Sequence, residues 1–500
     1  MNNKEIDKPK SNCAIFGIYN HPEASLMTYY GLHALQHRGQ EASGICSSEF
    51  LPETNRYRFN IYKGHGIVMD VFKGQEIFTK ILKGNSAIGH NRYSTTGASD
   101  SRSNVQPLKV NYKNGSLALS HNGNFTNTKE LRLKLQNDGT IFQTTSDTEI
   151  LLHLIARSKG EKLVDKILDA CKQIKGAYSI ILLADDKLYA IRDPFAVRPL
   201  SMGKLNGSFV FASETCAFDI INAEYIRDLK AGEIVEIDEE SVQSGKEKSY
   251  FIERTGQTKN CIFEYVYFSR PDSTIFNNTV DKVRRKLGKN LAIEKPSPRA
   301  KAEDKKVVVI SVPDSSNTAT LGYLTESIKT NKYMKLELGL IRSHYIGRTF
   351  IQPGQSNRVF KVKAKFNTVK SVLRDRIVVM VDDSIVRGTT MKQLVKLVKE
   401  AEPKEIHLRI TSPPIISPCY YGMDFPSKEE LIAVQCKNDL EKIRQYLDVD
   451  SVEYLSLEKL HASVPQGVNA HGETIGYCDA CFTRNYPIEI EEIEKLEFES

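Results

Sequence analysis

The sequence predicts an α/β protein of two domains. Up to about residue 235 it contains short apolar strands separated by Gly and Asn, with few helical periods, which is typical of a layered, sheet-rich domain. From Cys261 onward strands alternate with helices, a pattern that predicts a doubly wound parallel sheet with ligands beyond the carboxyl ends of its strands. The polar residues 239–260 between these regions are predicted to be a connector.

Composition limits the location and the partners of the chain. The net charge is +7 over 500 residues, and Lys and Arg are dispersed among acids, so we expect no nucleic-acid surface. No apolar run approaches the roughly 20 residues of a membrane span, and the polar start lacks the apolar segment of a secretory signal. We therefore expect a cytoplasmic protein without a membrane partner, whose nine cysteines do not form disulfides.

The most specific motif is IVVMVDDSIVRGTT, at residues 377–390. A strand runs into Asp382 and Asp383, and a Ser/Gly/Thr turn then leads into a helix. The acids could hold the hydroxyls of a ribose directly and through Mg²⁺, and the turn could bind its 5′-phosphate at the helix N-terminus. Alternatively, the acids only cap the helix. The turn residues predicted to bind the phosphorylated sugar are Ser384, Arg387, Gly388, Thr389 and Thr390.

A second strand, at residues 307–312, runs into Asp314, Ser315 and Ser316. We expect Ser315 to complete a magnesium site with Asp382 and Asp383. The Gly/Arg-rich residues 339–358 include Arg348 and are either a solvated loop or a cationic flap that closes over pyrophosphate and excludes water.

Cys13 opens the apolar run CAIFGI behind a polar leader. One interpretation is a buried first strand in which the cysteine only packs. The other is that residues 1–12 are removed, so that the free α-amine of Cys13 acts as base for its own thiol.

Further motifs downstream supply what glutamine hydrolysis requires. Arg92 can bind the substrate carboxylate, the Asn122 side chain and the Gly123 N–H can stabilise the oxyanion, and Asp147 can bind the ammonium group. Each residue also has a simpler interpretation. Arg92 could be a surface charge, Asn122 and Gly123 a hairpin turn, and Asp147 a helix N-cap.

Four cysteines form a candidate metal or cluster site. Cys478 and Cys481 form a C-x-x-C pair, and Cys261 and Cys419 occur in loop-like segments. Four thiolates suit either Zn²⁺ or a [4Fe–4S] cluster, and their spacing does not decide between the two. The remaining cysteines apart from Cys13 are predicted to be structural: Cys46, Cys171, Cys216 and Cys436.

These motifs together resemble a known family. VVMVDDSIVRGTT looks like the phosphoribosyl pyrophosphate (PRPP) signature of type I phosphoribosyltransferases, and the order Cys13, Arg92, Asn122 and Asp147 resembles class II glutamine amidotransferases, which are N-terminal-nucleophile proteins. With EYVYFSRPDS and IGRTFI, nearly the whole chain is similar to the amidophosphoribosyltransferase family, in its Bacillus-type iron–sulfur branch. Ala14 departs from the glycine that the family usually has after the nucleophile.

The resemblance implies an enzyme, a pentosyltransferase with an αββα glutaminase domain and a type I phosphoribosyltransferase domain. Its reaction converts PRPP, glutamine and water to 5-phosphoribosylamine, glutamate and pyrophosphate, the first committed step of de novo purine synthesis. It also implies one Mg²⁺ per subunit, a [4Fe–4S] cluster on Cys261, Cys419, Cys478 and Cys481, a homotetramer or homodimer, and feedback inhibition by AMP and GMP.

The implied domain organisation has four parts. Residues 1–12 are a propeptide lost autocatalytically, and residues 13–240 are the glutamine amidotransferase domain. Residues 261–440 are the phosphoribosyltransferase domain, and residues 441–500 are a helical segment that carries cluster ligands.

Two other functions remain open at this point. Another glutaminase-plus-synthase, such as the enzyme that makes glucosamine 6-phosphate, would share Cys13 but would not need the PRPP motif. A non-catalytic PRPP sensor would share that motif but would not need Cys13, Arg92 and Asp147.

Overall fold

The computed structural model describes residues 13–92, 102–113, 115–254, 256–298, 307–343 and 365–490. The predicted propeptide and Arg348, with most of the predicted flap, lie outside these ranges. None of the helices within them is long and apolar enough to cross a membrane.

The N-terminal region contains two antiparallel sheets. The seven-stranded sheet has the order β11-β9-β10-β1-β4-β2-β3, and the six-stranded sheet has the order β13-β12-β8-β7-β6-β5. The strands are β1 (Ala14–Tyr19), β2 (Ala42–Leu51), β3 (Arg56–His65), β4 (Ser86–Arg92), β5 (Leu108–Tyr112), β6 (Gly115–Phe125), β7 (Gly176–Ala184), β8 (Leu188–Arg192), β9 (Ser201–Leu205), β10 (Ser208–Ala212), β11 (Glu224–Asp228), β12 (Glu233–Ile237) and β13 (Lys248–Phe251).

The two sheets stack face to face, and helices cover their outer faces. The core between the sheets includes Ile15, Ile88 and Ile181. On the outer face of the seven-stranded sheet lie helices Ala24–Ala34 and Cys216–Asp219. On the outer face of the six-stranded sheet lie helices Thr128–Asn137, Thr148–Arg157 and Leu163–Cys171. The smaller helices of this region are Val68–Val71, Ile77–Ile81, Arg102–Asn104 and Glu239–Ser244.

This αββα arrangement confirms the predicted N-terminal fold. Side chains of successive strand residues point to opposite faces, so a strand with apolar residues at every position must be buried on both sides. All nine residues of β7 are buried, with Ile181 between the sheets and Ile180 under the helices.

The C-terminal region is built on a parallel sheet of order β18-β17-β21-β22-β23. Helices Val280–Glu294 and Asn317–Ser327 cover one face, and helices Thr389–Lys399 and Leu440–Leu447 cover the other, which confirms the doubly wound prediction. The strands of this region are β14 (Asn260–Cys261), β15 (Thr274–Ile275), β16 (Asn278–Thr279), β17 (Val307–Ser311), β18 (Met334–Leu336), β19 (Leu340–Arg342), β20 (Phe366–Thr368), β21 (Ile377–Asp382), β22 (Glu405–Ile410), β23 (Ser451–Tyr454) and β24 (Tyr477–Cys478). Its smaller helices are Glu264–Phe268, Lys370–Leu373, Lys428–Glu430, Ile432–Gln435, Leu457–Ser463 and Ala480–Thr483.

Two segments differ from the sequence-based expectation. Residues 239–260 are not a simple connector, because helix Glu239–Ser244 is followed by β13, which pairs with β12 at the edge of the six-stranded sheet. The parallel sheet also continues past residue 440, because β23 pairs with β22. Both strands are four residues long, and β13 alternates between exposed and half-buried positions, so neither has a strong apolar pattern.

Buried ion pairs join the two regions. Arg38, in the turn after helix Ala24–Ala34, binds Glu214 and also binds Glu264 with Nη2 2.5 Å from Oε2. Arg198 lies 3.4 Å from the same Glu264 carboxylate, and these four side chains are fully buried. Burial opposes the charge of Arg38, but its two carboxylate partners raise the pKa above its ordinary value. Paired charges of this kind hold the domains in one register, because separating them leaves uncompensated buried charge.

Candidate active sites

Cys13 lies directly before β1, beside the end of β4. Because Ala14 pairs with Asn91 in this antiparallel ladder, Cys13 before β1 lies beside Arg92 at the end of β4. Cys13 is 8% exposed and Arg92 is 4% exposed, which excludes the interpretation of Arg92 as a surface charge. Burial lowers the pKa of Arg92, while Cys13 and Glu41 act in the opposite direction. The methyl group of Ala14 is fully buried in the core beneath the first helix, so the fold accommodates the departure from glycine.

The strand that carries Arg92 is held in place by buried polar groups. The Asn91 amide donates to the Leu32 carbonyl at 2.7 Å and accepts from the Ser43 hydroxyl at 2.9 Å. Burial lowers the pKa of His90 to about 3, so its imidazole is neutral and donates from Nε2 to the His121 carbonyl at 3.0 Å. This last bond ties β4 of one sheet to β6 of the other.

The predicted oxyanion donors lie inside β6. Asn122 pairs with Ser179 and Gly123 with Tyr178 in the ladder with β7, so the alternative of a hairpin turn is wrong. Asn122 is fully buried, and its amide nitrogen and oxygen have no hydrogen-bond partner among the residues that the structure describes. A buried amide without a partner is costly in a folded protein, so its retention indicates a functional demand.

The backbone around residue 123 leaves room only for glycine. Its φ is +149°, and a Cβ at this position would lie 2.0 Å from the Ala177 carbonyl oxygen. No larger residue fits without moving the backbone that would carry the oxyanion-binding N–H.

Asp147 also contacts β6. It stands at the N-cap position of helix Thr148–Arg157, but no side-chain capping bond is found there among the described residues. Its Oδ2 instead accepts from the Phe125 N–H at 3.0 Å and lies 3.8 Å from His121 Nδ1. The carboxylate is therefore fixed against the strand that carries Asn122, and the simple N-cap alternative is wrong.

The second site lies at the carboxyl end of the parallel sheet. Asp382 ends β21 and Asp383 follows it, and both are almost fully buried. The Ser316 hydroxyl donates to Asp382 at 2.7 Å, and the Ser315 hydroxyl donates to Asp383 at 2.5 Å. The two strand-end motifs therefore meet at one edge, as the rule for parallel sheets requires.

The turn after the acids leads into helix Thr389–Lys399. Gly388 holds the N-cap position with φ +77°, so the acids do not cap this helix and that alternative is wrong. A Cβ on Gly388 would lie 2.5 Å from Ile432 Cδ1. The Ser384 hydroxyl donates to Asp383 at 2.7 Å, which folds the turn back over the acid. Thr389 and Thr390 open the helix, whose N-terminus carries the positive end of the helix dipole and favours an anion.

The side chain of Arg387, which the sequence predicts to bind phosphate, forms an ion pair with a carboxylate. Its Nε donates to Glu430 at 2.7 Å, and its Nη2 lies 2.6 Å from the same oxygen. The pair joins the turn to the short helix Lys428–Glu430.

Arg284 belongs to this region and is missing from the sequence-based prediction. It lies on helix Val280–Glu294, is almost fully buried, and donates to the Tyr265 carbonyl at 2.8 Å and the Ser269 carbonyl at 2.7 Å. Its Nη1 lies 3.4 Å from the Ser315 carbonyl. The available signal was an arginine on the apolar face of an amphipathic helix, next to Val283 and one turn before Leu287.

The four predicted cluster cysteines converge. Cys261 pairs with Cys478 in the parallel bridge between β14 and β24, and the Cys481 carbonyl accepts from the Ile416 N–H at 2.9 Å. Cys419 comes soon after Ile416 in the chain, and its Sγ accepts from the Tyr421 N–H at 3.4 Å. Burial raises the pKa of Cys261 to about 12, and Arg198 acts in the opposite direction.

Four thiols are a donor set that suits either Zn²⁺ or a [4Fe–4S] cluster. Cys261, Cys419 and Cys478 all influence the ionisation of Cys481, so the four thiols lie near one another, two of them buried and two half-buried. Across the described ranges, no three His, Cys, Asp or Glu side chains are arranged to hold a single metal ion.

The remaining cysteines have the structural setting that was predicted. Cys46, Cys171 and Cys216 are buried in three different apolar cores, where burial raises the pKa of each thiol. Cys436 is partly buried against the core of the parallel sheet.

Known proteins resemble this chain over nearly its whole length. Residues 90–219 match the model of the glutamine amidotransferase domain family. The chain is 46% identical to the chloroplastic amidophosphoribosyltransferase of Vigna aconitifolia, over 97% of this chain and 93% of that protein.

Two solved structures also match, each with a TM-score of 0.85 and 42% identity over 96% of this chain. One, described as the allosteric regulatory enzyme of purine biosynthesis, is covered over 97% of its length. The other, the glutamine PRPP amidotransferase of Bacillus subtilis complexed with ADP and GMP, is covered over 98%. The chain belongs to the amidophosphoribosyltransferase family.

Proposed function

We propose that this chain transfers the amide nitrogen of glutamine to PRPP with a division of labour between its two sites. Cys13 releases ammonia from glutamine, and the edge of the parallel sheet at Asp382 and Asp383 binds PRPP for amination at C1. The products are 5-phosphoribosylamine, glutamate and pyrophosphate. The observation that carries the proposal is the fully buried amide of Asn122, which has no hydrogen-bond partner among the described residues. It lies on β6, which is bonded to Asp147 and to β4, the strand of Arg92.

The first half-reaction uses groups of the glutaminase domain. After residues 1–12 are removed, the α-amine of Cys13 accepts the thiol proton and the sulfur attacks the substrate amide. The Asn122 side chain and the Gly123 N–H stabilise the oxyanion, while Arg92 binds the substrate carboxylate and Asp147 its ammonium group. Ammonia leaves, and water hydrolyses the thioester on Cys13.

The second half-reaction uses the acids of the parallel sheet. Asp382 and Asp383 hold the ribose hydroxyls, and the turn with Ser384, Gly388, Thr389 and Thr390 holds the 5′-phosphate. Arg387 steadies this turn through Glu430. We further propose that Arg348 closes over pyrophosphate.

Ammonia must reach C1 of the ribose unprotonated. Ammonium has no lone pair and cannot attack, and bulk water would protonate most of the released ammonia. We therefore include a closed passage between the two sites in the proposal. The buried contacts that join the domains at Arg38, Arg198 and Glu264 would keep such a passage shut to solvent.

Two inorganic groups complete the proposal. Asp382, Asp383 and Ser315 would hold Mg²⁺ together with substrate oxygens, the usual mixed coordination of this ion. When bound, Mg²⁺ neutralises charge on the departing pyrophosphate. The four-thiol site would hold a [4Fe–4S] cluster in a structural role, because its sulfurs come from three separate segments of chain that the cluster would tie together.

Regulation and assembly remain part of the proposal. The Bacillus subtilis enzyme was solved with ADP and GMP, and we propose purine nucleotides, AMP and GMP among them, as feedback effectors of this chain. We also propose a cytoplasmic homotetramer or homodimer. Membership of the family argues against the glucosamine 6-phosphate and PRPP-sensor alternatives.

The decisive experiment compares nitrogen sources. We expect Cys13→Ala to lower glutamine-dependent synthesis at least about 10³-fold, because the attacking atom is lost. Synthesis from ammonia should stay within about twofold, because the PRPP site is separate. Phosphoribosylamine formation is measured with glutamine and with ammonium chloride, and Cys436→Ala serves as the control cysteine. Loss of both activities in Cys13→Ala would contradict the division of labour.

The maturation proposal is tested by composition. The intact mass of the active protein should be short by residues 1–12, and iron and acid-labile sulfide should each approach four per chain. A full-length, active chain that carries zinc would overturn both the propeptide and the cluster assignments.

A further inference from the structure

We propose that the 419–422 segment, which begins at the ligand candidate Cys419, is a positioning element of the glutaminase site. It would hold the oxyanion strand β6 in its working position from the opposite domain. The inference rests on the proposed function, because it assigns the segment a role in glutamine hydrolysis.

Gly422 packs directly on Gly123. A Cβ built on Gly422 would lie 2.9 Å from the Gly123 carbonyl carbon and 3.0 Å from its Cα and oxygen. The two backbones therefore touch without an intervening side chain. Gly422 has φ +100°, a conformation that favours glycine for a second reason.

Gly123 is confined from two directions. A Cβ on it would collide with the Ala177 carbonyl of β7, and Gly422 approaches it from the other domain. Next along the strand, the Asn124 amide donates to the Tyr420 carbonyl at 3.0 Å. The 419–422 segment thus contacts two successive residues of the oxyanion strand.

The segment is itself rigidly held. The Tyr421 hydroxyl donates to the Ile488 carbonyl at 2.6 Å and accepts from the Ile488 N–H at 3.0 Å. Arg198, fully buried, donates from Nε to the Tyr421 carbonyl at 2.9 Å. At its start, the Cys419 sulfur accepts from the Tyr421 N–H, so ligation of this sulfur would fix the segment further.

The requirements of an oxyanion hole explain why contact from the 419–422 segment is useful. An oxyanion hole works only when its donors are already in place before charge develops, within about 0.5 Å of the productive position. Gly123 has no side chain with which to anchor itself. Its place is therefore set by neighbouring backbone, and one of the two neighbours is Gly422.

The test is Gly422→Ala in the mature, iron-loaded enzyme. The added methyl group must displace Gly123, so glutaminase kcat should fall about tenfold to 10²-fold, part of the loss that follows from removing a donor outright. KM for glutamine should stay within about threefold, because Arg92 and Asp147 are unchanged. Ammonia-dependent synthesis should stay within about twofold.

Gly472→Ala is the matched control. Gly472 also has a positive φ, +78°, but a Cβ there meets nothing within 4 Å. The Gly472→Ala variant therefore introduces the backbone strain of an alanine without a clash against neighbouring backbone. Its glutaminase kcat should match that of the unmodified enzyme. A fall as large as that of Gly422→Ala would overturn the proposal.

Two readouts separate positioning from general damage. Alkylation of Cys13 by iodoacetamide forms no oxyanion, so its rate in Gly422→Ala should stay within about twofold of the unmodified enzyme while kcat falls. Hydrogen exchange in the peptide covering residues 117–125 should become faster, and iron content should be unchanged. Alkylation slowed in proportion to kcat would show damage to Cys13 itself and would overturn the proposal.

Asn124→Ala provides a variant without added bulk. It removes the bond to Tyr420 and should lower glutaminase kcat about threefold to tenfold with the same unchanged alkylation rate. If the unmodified enzyme hydrolyses glutamine but both variants match it, this inference fails and the proposed function stands. If the unmodified enzyme hydrolyses no glutamine, the proposed function itself fails.

Discussion

The two sites handle buried polar groups in opposite ways. At the glutaminase site the Asn122 amide is fully buried and has no partner among the described residues. At the parallel sheet, Asp382 and Asp383 are equally buried, but serine hydroxyls donate to both. One site leaves a donor open for substrate, whereas the other satisfies its charges internally.

This difference indicates two strategies of preorganisation. An unpartnered amide costs stability, but it binds an oxyanion without first breaking another bond. Two adjacent carboxylates cannot be left bare, because like charges at close range repel and buried charge is costly. The serines stabilise the acids. In the proposed PRPP site, Mg²⁺ and substrate oxygens would take over part of that role.

The largest effect on rate is expected for the variants Asp383→Asn and Asp382→Asn, which test the role of the paired acids. Loss of a carboxylate should remove several kcal/mol of interaction with the proposed Mg²⁺ and the developing charge, or about 10³-fold in rate. Because PRPP is needed for either nitrogen source, synthesis from glutamine and from ammonia should fall together. Both rates are measured at saturating Mg²⁺.

Asp375→Asn is the matched control for this charge change. Asp375 is exposed just before β21, whereas Asp382 lies at the other end of that strand. The φ of Asp375, +55°, is one that asparagine also tolerates. Normal ammonia-dependent synthesis by Asp383→Asn and Asp382→Asn would remove the PRPP assignment.

A smaller effect is expected for Asn122→Ala. Removal of one oxyanion donor lowers glutaminase kcat about 10²-fold to 10³-fold, while ammonia-dependent synthesis is kept. Since the amide has no partner among the described residues, its removal should not lower the melting temperature, which a structural asparagine would do. Asn137→Ala, exposed at the end of its helix, is the control. A clear fall in melting temperature in Asn122→Ala would show that the amide is a structural group.

The smallest effect is expected for Arg92→Lys. The positive charge is kept, but the planar fork that matches a carboxylate is lost, so KM for glutamine should rise about tenfold with kcat within about threefold. Initial rates over a range of glutamine concentrations give the two constants, with the exposed Arg56→Lys as control. A fall in kcat at unchanged KM would mean that Arg92 acts on the transition state instead.

The sequence predicted the local structure around the candidate reactive groups well, because each lies in a short local pattern. VVMVDDSIVRGTT combines a buried strand, two acids and a helix start, and the structure places all three as expected. The short edge strands β13 and β23 were missed because four residues carry too little periodicity.

Local pattern also failed where one residue type has several uses. Asp147 stands at a helix start, and only the structure shows that its carboxylate accepts from Phe125 instead of capping the helix. Arg284 lies on the apolar face of its helix, but that position alone does not show that its guanidinium donates to the Tyr265 and Ser269 carbonyls.

By itself, the sequence determined the alternation of strands and helices, the thiol at residue 13, the paired acids and the four candidate cluster cysteines. Only the tertiary structure decided that Gly422 lies on Gly123 and that Arg38 and Arg198 share Glu264. The reason is physical: secondary structure and turn chemistry depend on neighbours within a few residues. The contact between the domains joins backbone separated by some 300 positions, and its glycines leave no periodic signal in the chain.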